Sequence, residues 1–153
     1  MTERGTDHAT EERQLRRRDE KEGTELFLQD VFFALGEVTF LGLPAFLWLL
    51  VAEPNAPLKY AALFSWATLS VAVGAFRGGR FGVAWPPTSP SLVVVRLLYY
   101  DATILAAAYA GAAGDLVLRS PVVTAAVAVV VSLAAALAFP RVAAAVDSRT
   151  PEW

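Results

Sequence analysis

The chain alternates between long apolar stretches and short breaks that are rich in proline, glycine and charge. Four stretches are long enough to cross a bilayer as helices, which takes about 20 mainly apolar residues. They are residues 26–51, 58–76, 91–113 and 122–139. Inside lipid the backbone must satisfy its own hydrogen bonds, so we expect helix even where alanine and valine dominate. The pattern predicts an all-α, integral membrane four-helix bundle.

Prolines and glycines set the predicted ends of these helices. Glu53–Pro57 carries two prolines and is expected to end the first span, because proline cannot continue a helix. Arg77–Arg80, with its central glycine pair, is expected to end the second span. Pro44 lies inside the first span and is expected to kink it. The remaining breaks are predicted at Gly111, Gly114 and Pro121, and at Pro140.

Composition and charge divide the chain into three parts. A hydrophobic share of 56% and a mean hydropathy of +0.46 are too high for an ordinary soluble domain of this size. Residues 1–25 hold six basic and eight acidic side chains and read as a solvated cytoplasmic tail. Residues 26–141 are the predicted transmembrane domain, and residues 142–153 a short cytoplasmic C-terminal tail. The net charge of −2 gives no reason to expect a nucleic acid partner.

Basic residues in the short loops predict the orientation. Counted from Arg13 onward, nine Lys and Arg residues fall on one side of the predicted spans and two, Lys59 and Arg119, on the other. We therefore expect a multi-pass protein of the inner or plasma membrane with both termini in the cytoplasm. A signal peptide is not expected, because the charged tail is too long and too acidic for one. The predicted partners are the lipid bilayer and either a second copy of the chain or another membrane protein.

Residue types exclude most catalytic chemistry. Cysteine is absent, and the single histidine, His8, lies in the polar tail, so the usual metal ligand sets cannot form. The glycine pair at 78–79 lacks the Lys-Ser/Thr of a phosphate-binding loop. We expect no metal, no cofactor and no enzymatic activity.

Three ionisable residues lie inside the predicted spans: Glu37 in the first, and Arg96 and Asp101 in the third. A charge at membrane depth costs several kcal/mol, so such residues usually face a partner or a wet cavity. At a rise of about 1.5 Å per residue, Arg96 lies about 6 Å deep, Glu37 about 9 Å and Asp101 about 14 Å. Glu37 and Arg96 are thus at similar heights and can pair across helices. Arg96 can instead snorkel to the cytoplasmic headgroups. Asp101 then needs a tyrosine, a backbone group or water, or stays protonated.

Two functional interpretations follow. In the first, the protein is structural or accessory, and a buried Glu37–Arg96–Asp101 network fixes how the helices pack. In the second, it is a small proton-coupled transporter, in which Glu37 and Asp101 take up and release protons and Tyr60, Tyr99 or Tyr100 lines the path. The candidate polar network or proton site therefore comprises Glu37, Arg96, Tyr100 and Asp101.

Two resemblances add to this interpretation. The segments 36–38, Gly-Glu-Val, and 96–101, Arg-Leu-Leu-Tyr-Tyr-Asp, resemble the YrdB-like family of uncharacterised small four-span membrane proteins. That resemblance implies a fold over residues 26–139 but no activity. Residues 34–38 also resemble small multidrug-resistance transporters, whose membrane glutamate exchanges protons against cations in an antiparallel dimer. The strong positive-charge bias, Arg96 and Asp101 depart from that second family.

Overall fold

The computed structural model describes residues 23–147, and within them the chain forms five α-helices and no strand. They are α1 (Gly23–Leu41), α2 (Leu43–Val51), α3 (Asn55–Arg77), α4 (Pro90–Leu118) and α5 (Pro121–Asp147). The all-α prediction is confirmed. The predictions for residues 1–22 and 148–153 lie outside the described residues.

Three of these helices, α3, α4 and α5, are individually long and apolar enough to cross a membrane. Helices α1 and α2 pass that test only together, and they are bent by 56° relative to each other. The described part of the chain therefore offers three spans, or four if the bent pair counts as one.

The bend between α1 and α2 arises at Gly42 and Pro44. The Gly42 N–H still donates to the Val38 carbonyl at 2.9 Å, as in a continuous helix. Pro44 has no N–H to donate, so the regular hydrogen-bond ladder stops there. Gly42 also packs closely, since a Cβ at this position would lie 2.7 Å from Cδ1 of Ile104. The expected kink at Pro44 is thus present, as a broken helix.

Several residues of the predicted breaks lie inside helices, so the helices extend beyond the predicted spans. Pro57 sits in the first turn of α3, where a missing N–H costs nothing because that N–H would be unpaired. Gly111 and Gly114 lie within α4, which ends only at Arg119 in the left-handed conformation with φ 47°. Pro140 lies within α5, which continues through residues 142–147 of the predicted tail. Glycine and proline are weaker breaks in apolar helices, whose neighbours re-satisfy the freed backbone groups.

Helix α3 is the centre of the fold and packs against each of the other four helices. Small residues allow the close approach. A Cβ on Gly74 would lie 2.6 Å from Cα of Val31 in α1, and one on Gly111 would lie 2.8 Å from Cβ of Ala61. Gly74 and Gly111 therefore serve the packing of helices within the chain.

The outer surface is strongly apolar, whereas alanine is the commonest buried apolar residue. Phe32, Phe40, Val51, Val117 and Val122 are each more than 70% exposed. A soluble monomer rarely shows so much large apolar surface, and lipid is the solvent that suits it.

Candidate functional site

The carboxylate of Glu37 on α1 is the centre of a four-residue polar cluster. Its Oε1 accepts hydrogen bonds from Nη1 of Arg96 at 3.2 Å and from the hydroxyl of Tyr100 at 2.9 Å. Its Oε2 accepts from Nη2 of Arg77. We call Glu37, Arg77, Arg96 and Tyr100 the Glu37 cluster. One carboxylate on α1 thereby binds side chains from both α3 and α4.

The helices explain how these side chains meet. Arg96 and Tyr100 are four residues apart in α4, so they lie on one face, one turn apart. Arg77 is the last residue of α3, and its long side chain reaches Glu37 from that helix end. Both guanidinium groups are suited to binding a carboxylate through charge-assisted hydrogen bonds.

Arg96 is one of two fully buried members of the cluster, and like Tyr100 it has 1% of its surface exposed. Besides Glu37 it donates to the Pro86 carbonyl at 2.8 Å, the Pro87 carbonyl at 3.5 Å and the Thr88 hydroxyl at 3.3 Å. Its guanidinium also lies 5.8 Å from the ring centre of Phe139 on α5. Arg96 thus joins the loop before α4 to the helix bundle.

Two buried donors near this cluster are unmatched within residues 23–147. They are Nε of Arg96 and Nε1 of Trp85, whose indole packs 5.2 Å from Phe139. An unmatched buried donor carries a desolvation cost of about 1–3 kcal/mol. The cluster therefore stabilises the fold by less than its ionic contacts alone suggest.

A second ion pair joins the start of α1 to the turn that follows α3. Nη1 of Arg80 lies 3.0 Å from Oδ2 of Asp30, and the guanidinium lies 5.2 Å from the ring centre of Phe27. Both charged side chains are more than a quarter exposed, so this pair is worth at most about 1 kcal/mol. It marks the same end of the bundle as the Glu37 cluster.

Asp101 lies apart from the Glu37 cluster and contacts the broken helix instead. Its Oδ1 accepts from the backbone N–H of Ala45 at 2.9 Å. Ala45 is the third residue of α2, and the N–H groups of a helix's first turn lack partners within the helix. The residue preceding α2, Gly42, has no side chain that could cap it. Asp101 supplies that cap from α4.

The structure therefore brings three predicted site residues together, Glu37, Arg96 and Tyr100, and places Asp101 in a separate contact. Of the partners left open for Asp101, a backbone group is the one observed. Arg77 was missed, because its position beside a loop was assigned to membrane orientation alone. A signal for this contact was present in the sequence. Arg77 ends the second predicted span on the same side of the membrane on which the first span, with Glu37, begins. The long side chain of an arginine can reach a neighbouring helix from there. The loop carbonyls that bind Arg96 have no recognisable sequence signal.

Comparison with protein families gives one result. The family model of a domain of unknown function, DUF8215, matches residues 21–146. The chain belongs to the DUF8215 family. The matched DUF8215 region contains the whole Glu37 cluster and Asp101. A comparison with curated proteins gives no match, and a comparison with solved structures gives none either. The likeness of this DUF8215 domain to the YrdB-like family stays a prediction.

Proposed function

We propose that this DUF8215 protein is a small integral membrane protein of structural or accessory type with four spans. The bent pair α1–α2 forms the first span, and α3, α4 and α5 form the others. Both termini and the loop between α3 and α4 face the cytoplasm. The apolar outer surface and the positions of the basic residues support this arrangement.

The observation that carries the proposal is the engagement of both membrane carboxylates in contacts between helices. Glu37 accepts from three side chains on two other helices, and Asp101 caps α2 from α4. Polar groups in lipid that are satisfied in this way fix the position and rotation of helices. Such a bundle offers a rigid surface to a membrane partner or to a second copy.

The proton-coupled transporter is the second candidate. It is favoured by the side chain of Glu37, which keeps 17% of its surface exposed. The contacts of this carboxylate weigh against it, because both of its oxygens already accept hydrogen bonds from side chains of the Glu37 cluster. The separation of Asp101 from the cluster also gives the two carboxylates no shared contact within the described residues.

Labelling with a membrane-impermeant maleimide tests the four-span arrangement, and the absence of cysteine makes each introduced thiol unique. Thr24→Cys lies at the start of α1, Ala56→Cys in the first turn of α3 and Ala84→Cys in the loop before α4, and all three sites are exposed. In intact cells we expect label on Ala56→Cys alone, and label on all three after permeabilisation. Labelling of Thr24→Cys and Ala56→Cys from the same side would show that α1–α2 does not cross, and would overturn the proposal.

A further inference from the structure

A groove runs along the surface between α2 and α3, away from the Glu37 cluster. It encloses about 400 Å³, which is within the range of pockets that hold small molecules. Leu43, Leu47 and Leu50 line it from α2, and Lys59, Leu63 and Trp66 line it from α3. We call this feature the α2–α3 groove.

The chemistry of the α2–α3 groove is apolar except at one end. Lys59 is its one ionisable lining residue, and within residues 23–147 no carboxylate lies within 4.0 Å of its ammonium group. At the other end, Nε1 of Trp66 donates to the Thr39 hydroxyl at 2.8 Å, so these two polar groups satisfy each other. The groove thus presents apolar walls with a cation at its mouth.

The dimensions of the groove follow from the helices. Lys59 and Trp66 are seven residues apart on α3, and Leu43 and Leu50 are seven apart on α2, so each wall is about 10 Å long. Lys59 lies one turn inside the start of α3, at the end of the bundle where α2 finishes. In the proposed topology that end lies at the membrane surface opposite the cytoplasm, where a lysine ammonium reaches the lipid headgroups.

We propose that the α2–α3 groove binds an anionic phospholipid. One acyl chain lies along the apolar walls, and the phosphate of the headgroup binds the Lys59 ammonium. Such a lipid matches the groove at both ends. Its negative phosphate lies next to the Lys59 ammonium, and its apolar acyl chain extends from there along the apolar walls. This inference rests on the proposed span α1–α2 but not on the role of the Glu37 cluster.

Native mass spectrometry of the full-length protein, released from mixed micelles of phosphatidylglycerol and phosphatidylcholine, tests the proposal. We expect the wild type to retain one phosphatidylglycerol in preference to phosphatidylcholine. Lys59→Gln should weaken that retention roughly tenfold, as expected for the loss of one hydrogen bond to a charged group, and Lys59→Arg should preserve it. Arg119→Gln is the matched control, because it removes a cation from the same side outside the groove, and it should change nothing.

A second variant tests the apolar walls without touching the charge. Leu63→Trp adds bulk at a wall position that is 57% exposed, so the core is not disturbed. It should lower phosphatidylglycerol retention while the thermal midpoint stays that of the wild type. Unchanged retention in both Lys59→Gln and Leu63→Trp would overturn the proposal, as would an equal loss in Arg119→Gln. If cysteine labelling contradicts the four spans while these lipid effects persist, the proposed topology is wrong, but lipid binding in the α2–α3 groove is still supported.

Discussion

Replacing Glu37 by glutamine is the sharpest perturbation of the Glu37 cluster, because it keeps the shape of the side chain and removes its charge. The Arg96 guanidinium, with 2% of its side chain exposed, then loses its carboxylate partner. Breaking a buried ion pair from one side costs about 3–5 kcal/mol, because a charge stays buried without compensation. Arg96 keeps its bonds to the Pro86 and Pro87 carbonyls. We therefore expect a loss at the low end of that range, about 3 kcal/mol in the free energy of unfolding.

The contrast with Arg77 makes this prediction specific. The Arg77 side chain is 28% exposed and is at the end of α3, so Arg77→Gln should cost no more than about 1 kcal/mol. The measurement is reversible unfolding in mixed detergent micelles, followed by tryptophan fluorescence and helical circular dichroism. A double-mutant cycle of Glu37→Gln with Arg96→Gln should show clear coupling, and the matching cycle with Arg77→Gln should show less. Equal losses for Glu37→Gln and Arg77→Gln, or an additive Glu37/Arg96 cycle, would refute the reasoning.

Three further predictions use the same unfolding measurement. Asp101→Ala should lower the free energy of unfolding by about 0.5–2 kcal/mol, because it removes the cap of α2. Asp101→Asn keeps an acceptor oxygen and should lower it by less. Equal losses in the two variants would argue against capping. Tyr100→Phe should cost about 0.5–1.5 kcal/mol for one hydrogen bond to Glu37, and a neutral result would mean that this bond contributes nothing. Gly74→Leu should cost at least about 1–3 kcal/mol by forcing α1 and α3 apart, while Gly36→Leu, with open space around it, serves as the control and should be close to neutral.

The positions of the helices could be predicted from the sequence more easily than their ends. Long apolar runs identify α3, α4 and α5, because lipid-facing helices must be apolar over their whole length. Pro57, Gly111 and Pro140 lie inside helices, because the penalties for proline and glycine depend on position in the helix and on the packing around it.

Some contacts of the candidate site could also be predicted from the sequence, while others depend on how the helices pack. Similar heights of Glu37 and Arg96 could be predicted from their distances along the chain, and the structure places the two side chains in contact. Which donor reaches the remaining carboxylate oxygen also depends on how α3 is rotated about its axis, and the residues around Arg77 do not encode that rotation. The capping of α2 by Asp101 depends on the break at Gly42, which exposes the Ala45 N–H to a side chain from α4.

Proton exchange by the reconstituted protein tests the central claim most directly. Purified protein in liposomes is titrated through neutral pH, and proton uptake is compared between the wild type and the Glu37→Gln/Asp101→Asn double variant. If both carboxylates are held in contacts between helices, the two titrations will coincide once the unfolded fraction is subtracted. A proton uptake step near neutrality that the wild type shows and the double variant lacks would contradict the structural account and favour proton-coupled transport.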